Sequence, residues 1–405
     1  MNALGFERIL GGVCAPTGFL ASGVSCGIKD DGRPDLALVY SEVPAFVAGL
    51  FTTNEMKAAP IQVTSGLVSG GHAQAVVINS GCANAMTGGR GLEDAIAMGI
   101  AAEKALGLQN GQALVASTGR IGDFLPMDKV SAGIGHAASE LSPGGNTDAA
   151  KAIMTTDTYP KELAAEMEIG GRTVRLGAMA KGSGMIHPDM ATMIAVVTTD
   201  IDLPADTMRE WLANAVEWSF NRISVDGDRS TNDCVLMLAN GAAFPDGHLL
   251  TKDEADLFYR ALCWLTGNLA MALVKDGEGA NKLLRIVVNG AVTDKDAVAV
   301  ARAIANSNLV KCAFFGEHMN IGRVAAAAGS AGVRLDQSKL EIFVGEHKVA
   351  AAGESLAYDA VDLGRMLARD EVEVTVNLGL GAGSSYFLGC DLSTEYVRFN
   401  AEEKS

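Results

Sequence analysis

The stretch that most constrains this chain is a glycine-rich loop running directly into an apolar, β-branched segment. The loop reads Lys181-Gly182-Ser183-Gly184-Met185-Ile186-His187-Pro188-Asp189-Met190-Ala191, and Thr192 then opens the run Met193-Ile194-Ala195-Val196-Val197-Thr198-Thr199. That run reads as a buried strand, while Gly182 and Gly184 permit backbone angles closed to other residues and Pro188 fixes one φ. A strained loop therefore feeds a stiff strand whose first side chain is a threonine.

A threonine hydroxyl is a poor nucleophile near neutral pH unless a base lies within hydrogen-bond reach. Its own nitrogen cannot serve while it is an amide. Scission of the Ala191–Thr192 bond would turn it into an amine with a pKa near about 8, so the cut would create the base. The same residues also suit an ordinary threonine at a strand start after a plain turn, and spacing alone leaves both readings open.

Composition bounds the fold class. With 405 residues, 48% of them hydrophobic, the chain can bury a sizeable core, and its length suggests two or three structural units. A formal net charge of −16 argues against nucleic-acid binding and leaves small polar molecules as the expected partners. Cys14, Cys26, Cys82, Cys234, Cys263, Cys312 and Cys390 form an odd set without CxxC spacing, so reduced thiols are expected rather than disulfides or a zinc site. The N-terminal residues lack a signal-peptide core, and no window approaches the roughly 18 apolar residues of a membrane span. A cytoplasmic location without membrane contact is the expectation.

Strand and helix patterns alternate along the chain. Strands are expected at 36–50 with a break at Pro44, at 73–78, 113–116 and 234–238, and helices at 92–106, 207–220 and 252–275. From Leu284 the pattern runs strand (284–288), helix (294–305), strand (309–315), helix (321–331), a strand pair (340–350), a helix and closing strands, with a short polar tail after Asn400. This predicts a mixed α/β (α+β) chain with a unit at 1–284 and a C-terminal α/β unit at 285–405.

The string KGSGMIHPDMATM resembles the cleavage-site signature of the ornithine acetyltransferase family, the dual-function glutamate N-acetyltransferases of arginine biosynthesis. Further segments are similar to that family: Met154-Thr155-Thr156-Asp157-Thr158 with Pro160-Lys161, Ser117-Thr118-Gly119 before Leu125-Pro126-Met127, Phe220 to Asp228, Asp276-Gly277-Glu278-Gly279-Ala280 and Cys390-Asp391-Leu392. Together they span nearly the whole chain. The resemblance implies a layered α-β-β-α sandwich and self-cleavage between Ala191 and Thr192 into fragments 1–191 and 192–405, assembled as two α and two β chains.

It also implies the chemistry. Thr192 would attack the acetyl group of N-acetylornithine, Thr118 and Gly119 would hold the oxyanion, and glutamate would collect the acetyl group. No metal or redox cofactor is needed, and acetyl-CoA would be an alternative first donor. An amino-acid site needs a fixed cation and a fixed anion. Lys181 and Glu278 match those roles in the family, and Thr155, Thr192, Asn400 and Ser405 match its other substrate contacts.

Several segments depart from the family pattern. Arg120 stands where a small apolar residue is expected, and Asn79-Ser80-Gly81-Cys82-Ala83-Asn84, Asn281, Glu317 to Arg323 and Leu378 to Gly383 also differ. These changes are expected to concern the substrate surroundings and so bear on the acceptor. A self-cleaving amidase or aminopeptidase, an acetyltransferase with another acceptor and an idle amino-acid binder therefore stay open. Asp226-Gly227-Asp228-Arg229-Ser230 fails as a calcium loop, because Thr231 and Met237 stand where Gly and Glu are required. His187 has no acidic partner fixed by sequence and is left out of the site.

Overall fold

The computed structural model describes residues 4–187 and 193–402. The chain opens with β1 (Glu7–Ile9), β2 (Phe19–Val24), β3 (Leu36–Phe51), α1 (Ala59–Val68), β4 (His72–Cys82) and α2 (Gly88–Leu106). Next come β5 (Ala113–Arg120), α3 (Met127–Ser139), α4 (Asn146–Ala152), β6 (Lys161–Ile169) and β7 (Arg172–Lys181). Then follow β8 (Ile194–Thr199), α5 (Ala205–Glu217), β9 (Cys234–Ala239) and α6 (Lys252–Lys275). The remainder begins with β10 (Leu283–Ala291), α7 (Asp294–Ala305), α8 (Asn308–Phe315), α9 (Ile321–Gly329), β11 (Glu341–Val344) and β12 (His347–Ala351). It ends with β13 (Glu354–Ser355), α10 (Ala360–Leu367), β14 (Glu371–Asn377), β15 (Gly383–Cys390) and α11 (Thr394–Glu402).

Alternation along the strands builds the layers. In β9, Cys234, Leu236 and Leu238 face one core while Val235, Met237 and Ala239 face another; β8 splits in the same way. In β4, Val76 and Ile78 share the central core, whereas Ala75 and Val77 pack against Met98 of α2 and Ile134 of α3. The outer face of β6 to β9 is covered by Leu212 of α5 and by Phe258, Leu265 and Leu269 of α6. The order is helix, sheet, sheet, helix, the α-β-β-α sandwich. Each large side chain buried this way contributes roughly 1.5–3 kcal/mol.

The strand β3 ties the two sheet layers together. Its first residues pair with β2 and β4, and Phe46 to Phe51 then pair with β9. Pro44 lies in the irregularity between Tyr40 and Ala45, where its missing N–H interrupts no regular ladder. The expected break is thus a change of partners within one strand. The C-terminal strands form a second sheet in the order β13-β12-β11-β14-β10-β15, with β10 and β14 parallel, packed against α7, α9 and α10.

Three expectations need correction. Residues 309–315 form the helix α8, not a strand: Ser307 caps it by accepting from Val310 N, and Val310, Ala313 and Phe314 are buried at helical spacing. The described residues after Asn400 are helical and not a tail, since α11 continues through Glu402. The α6 helix does meet the length and composition of a membrane span, with a mean hydropathy of 1.4 over 18 residues, and half of that window is buried inside the protein. The uncharged run from Ala261 to Val274 produces that reading. All seven cysteines are free; Cys14, Cys82, Cys234 and Cys390 are buried and Cys312 is exposed.

Candidate active site

The C-terminal ends of β4, β5 and β7 converge on a cavity of about 380 Å³. Thr118, Gly119, Thr155, Lys181, Glu278 and Asn400 all line it, although they are separated by up to hundreds of residues in sequence. Ala191, Thr192 and Ser405 lie outside the described residues. The strand β8 enters beside the cavity, with Ile194 opposite Lys181 across the β7–β8 ladder.

The end of β5 is shaped by a close backbone approach. Gly119 has φ of +125°, and a Cβ there would lie 2.4 Å from the carbonyl carbon of Gly81 in β4. Only glycine fits. Asn232 Nδ2 donates to Ala83 O at 2.6 Å and to Ser117 O at 2.9 Å, and Ser117 Oγ donates to Asn79 Oδ1 at 2.6 Å. These bonds fix the turn on both sides of Thr118.

Lys181 is buried at the floor of the cavity. Its ammonium donates to Thr118 Oγ1 at 3.1 Å and to Thr155 Oγ1 at 2.8 Å. Because the Thr118 oxygen accepts from a cation, its own O–H is free to donate into the cavity and is polarised for doing so. Burial lowers the Lys181 pKa, an effect that Asp157 opposes. Burial would raise Asp157, but Lys181, Lys161 and the Gly182 N–H outweigh it and hold that carboxyl at about 2.

Asp157 also frames the site. It accepts from Thr155 N at 3.1 Å, from Gly182 N at 2.7 Å and from Lys161 Nζ at 2.7 Å. Lys161 reaches Asp276 Oδ2 at 2.5 Å, so a buried carboxylate–ammonium–carboxylate chain links β6, β7 and the end of α6.

Glu278 supplies the anion on the opposite wall. Thr156 Oγ1 donates to its Oε1 at 2.8 Å and Asn400 Nδ2 to its Oε2 at 3.0 Å, which brings α11 back onto the first unit. Gly184 leaves room for this carboxylate, since a Cβ there would stand 2.3 Å from Glu278 Oε1. The loop after Lys181 is fastened by Asp226, which accepts from Met185 N at 2.5 Å and Ile186 N at 2.9 Å. Burial pushes the Asp226 carboxyl up to about 6. The sequence rejected as a calcium loop thus anchors the loop of the cleavage motif. His187 Nδ1 stands 3.4 Å from Ser224 Oγ.

Sequence reasoning missed part of the wall. Lys29, Asp30, Asp31 and Arg33 line the cavity, on a loop held by Asp35, which accepts from the amides of Cys26, Gly27, Ile28 and Lys29. Burial and the neighbouring Arg33 lower Lys29 to about 8. Ser230 and Asn232 were missed as well. A local signal existed only for Asp157, inside its threonine-rich segment.

Three of the divergent segments also prove to lie away from the cavity wall. Glu317 pairs with Lys282 at 3.0 Å, Asn320 caps α9, and Leu378 to Gly383 join β14 to β15 with Gly381 and Gly383 against the backbone at 291–294. Asn281 donates to Asp391. Their differences serve packing of the C-terminal unit and not the cavity; Gly81, Ala83 and Arg120 are the divergent positions that do line it.

The ArgJ family model matches residues 20–405 of this chain. The chain belongs to the ArgJ family. It is 49% identical over 401 residues to the arginine biosynthesis bifunctional protein ArgJ of Symbiobacterium thermophilum, covering 98% of this chain and 100% of that one. The protein of the same name from Caldanaerobacter subterraneus subsp. tengcongensis is 44% identical over 403 residues, covering 98% of this chain and 100% of that one. Among solved structures, the ornithine acetyltransferase of Mycobacterium tuberculosis in complex with ornithine is 45% identical, covering 45% of this chain and 98% of that chain with a TM-score of 0.43. In this ArgJ-family chain the cavity residues come from β5, β7, the 154–158 segment and the α6 exit.

Proposed function

We propose that this protein, an acyltransferase of arginine biosynthesis, carries an acetyl group from N-acetylornithine to glutamate through an acetyl ester on Thr192. The observation that supports this most directly is the cavity itself, in which a cation-polarised hydroxyl, a glycine turn, a buried lysine and a fixed carboxylate meet within an ArgJ-family chain. The Thr192 hydroxyl first attacks the Ala191 carbonyl, and water resolves the ester into chains 1–191 and 192–405. The new α-amine then takes the hydroxyl proton as Thr192 attacks the acetyl carbonyl. Thr118 Oγ–H and the Gly119 N–H stabilise the oxyanion, and the proton passes to the departing amine. Glu278 receives the ornithine ammonium. Glutamate reverses these steps from the acetyl-enzyme.

In this reading the exchange between two amides needs no metal or redox cofactor, acetyl-CoA is an alternative first donor, and the enzyme works in the cytoplasm as two α and two β chains. The test is intact-mass analysis before and after incubation with N-acetylornithine. Two fragments and an acetyl adduct on fragment 192–405 are expected; an adduct-free, unbroken chain that still turns over would remove the proposal.

Two variants probe the roles separately. Thr118→Val removes one oxyanion donor and should lower kcat by roughly 10²–10³ with little change in KM for N-acetylornithine. A rise in KM at constant kcat would show that Thr118 binds the ground state instead. Glu278→Ala should raise KM for N-acetylornithine at least about tenfold while the protein still cleaves itself, since a charge-assisted contact is lost. Equal loss of cleavage and turnover would make Glu278 a structural prop.

A further inference from the structure

The acetyl exchange proposed above, on which this inference rests, asks one cavity to hold two side chains of opposite charge. Ornithine carries an ammonium at its far end and glutamate a carboxylate. Glu278 suits the first and repels the second, so a cation that the donor does not use would favour the acceptor.

Among the described residues, four cations line the cavity: Lys29, Arg33, Arg120 and Lys181. Lys181 is committed to two threonine hydroxyls. Lys29 donates to Pro34 O at 2.8 Å and Met154 O at 2.7 Å. Arg33 holds Asp31 at 2.5 Å and donates through its outer guanidinium to Thr155 O at 3.4 Å. Arg120 differs. Among the described residues its only hydrogen bond runs through Nε to Asp123 Oδ2 at 2.8 Å, which leaves both outer nitrogens of the fork unbonded.

We infer that Arg120 is a specificity-determining residue that receives the side-chain carboxylate of the acceptor. It follows Gly119 directly at the end of β5, so the fork stands at the lip of the oxyanion turn. A guanidinium matches a carboxylate in bidentate fashion, which a small apolar residue at this position cannot do. Its pair with Asp123 is exposed, with side-chain accessibilities of 45% and 53%, and such pairs are weak enough to be exchanged for a substrate carboxylate. No covalent step involves Arg120; it binds in the second half-reaction only.

The experiment compares wild type, Arg120→Ala and Arg120→Lys with glutamate or glutamine as acceptor. Acetyl-enzyme formation from N-acetylornithine is followed separately by mass. In Arg120→Ala, KM for glutamate should rise at least about tenfold, the preference for glutamate over glutamine should collapse, and Arg120→Lys should restore part of it. Acetyl-enzyme should still form in both variants, which shows the oxyanion turn intact. An unchanged glutamate preference overturns the inference. So does a parallel loss of acetyl-enzyme formation, which would make Arg120 structural, or a defect confined to acetyl-CoA, which would assign the fork to a phosphate. Absence of acetyl-enzyme in the wild type would instead sink the acetyl-transfer reading itself.

Discussion

Thr192→Ala is expected to run as one unbroken chain on a denaturing gel and to transfer no acetyl group, a loss on the order of 10⁶ in turnover. Both effects come from the same atom. The hydroxyl is the attacking group in scission and in acetyl transfer, and the amine that serves as its base exists only after the cut. The substitution removes a hydroxyl and a methyl without adding bulk, so the variant should keep the wild-type circular dichroism and unfolding midpoint. Thr192→Ser retains the hydroxyl and should recover both activities in part. A two-fragment pattern in Thr192→Ala would place the scission nucleophile elsewhere, and the proposed order of events would fail.

How much of this was legible in the sequence differs from element to element. The helices at 252–275 and 294–305 were read with correct bounds because each carries its own start signal: Thr251 with Glu254 and Thr293 with Asp296 form capping boxes. Residues 309–315 were misread because Leu309-Val310 and Phe314-Phe315 mimic a strand run; the Ser307 cap is a local signal that this run masks, and the burial of one helical stripe is tertiary. The site divides in the same way. Thr118, Gly119, Lys181 and Glu278 sit in short glycine-bearing motifs that resemblance could pick out.

The remaining wall had no such local mark. Asp35 gathers four amides of the 26–29 loop only because β2 and β3 lie side by side, and that closure brings Lys29 and Arg33 to the cavity. Asn232 acts through carbonyls of Ala83 and Ser117, more than a hundred residues away in sequence. The divergent segments misled for the opposite reason. A change of residue type in a family motif marks a change of surroundings, but it does not say whether those surroundings are substrate or packing; the position of Glu317 to Arg323 on the C-terminal unit decides for packing.

Asp157→Asn should cost about 3–5 kcal/mol of stability at neutral pH, because it strips a shared counter-charge from two buried lysines. Lys161 and the Asp157 carboxyl are both fully buried as side chains, and Lys181 depends on the same charge. An asparagine also brings a donor where Thr155 N, Gly182 N and Lys161 Nζ all donate. The pH dependence gives an independent check. The folded carboxyl titrates near about 2 against 3.8 unperturbed, a depressed acid, so its contribution is complete above pH 4 and is lost as pH falls toward 2. That window corresponds to about 2 kcal/mol. Urea unfolding of wild type and variant at pH 7, 4 and 2.5 should therefore show a large gap that narrows on acidification. A gap that stays constant with pH would mean that shape and not charge governs this position, and the electrostatic account of how Lys181 is held beneath Thr118 would have to be abandoned.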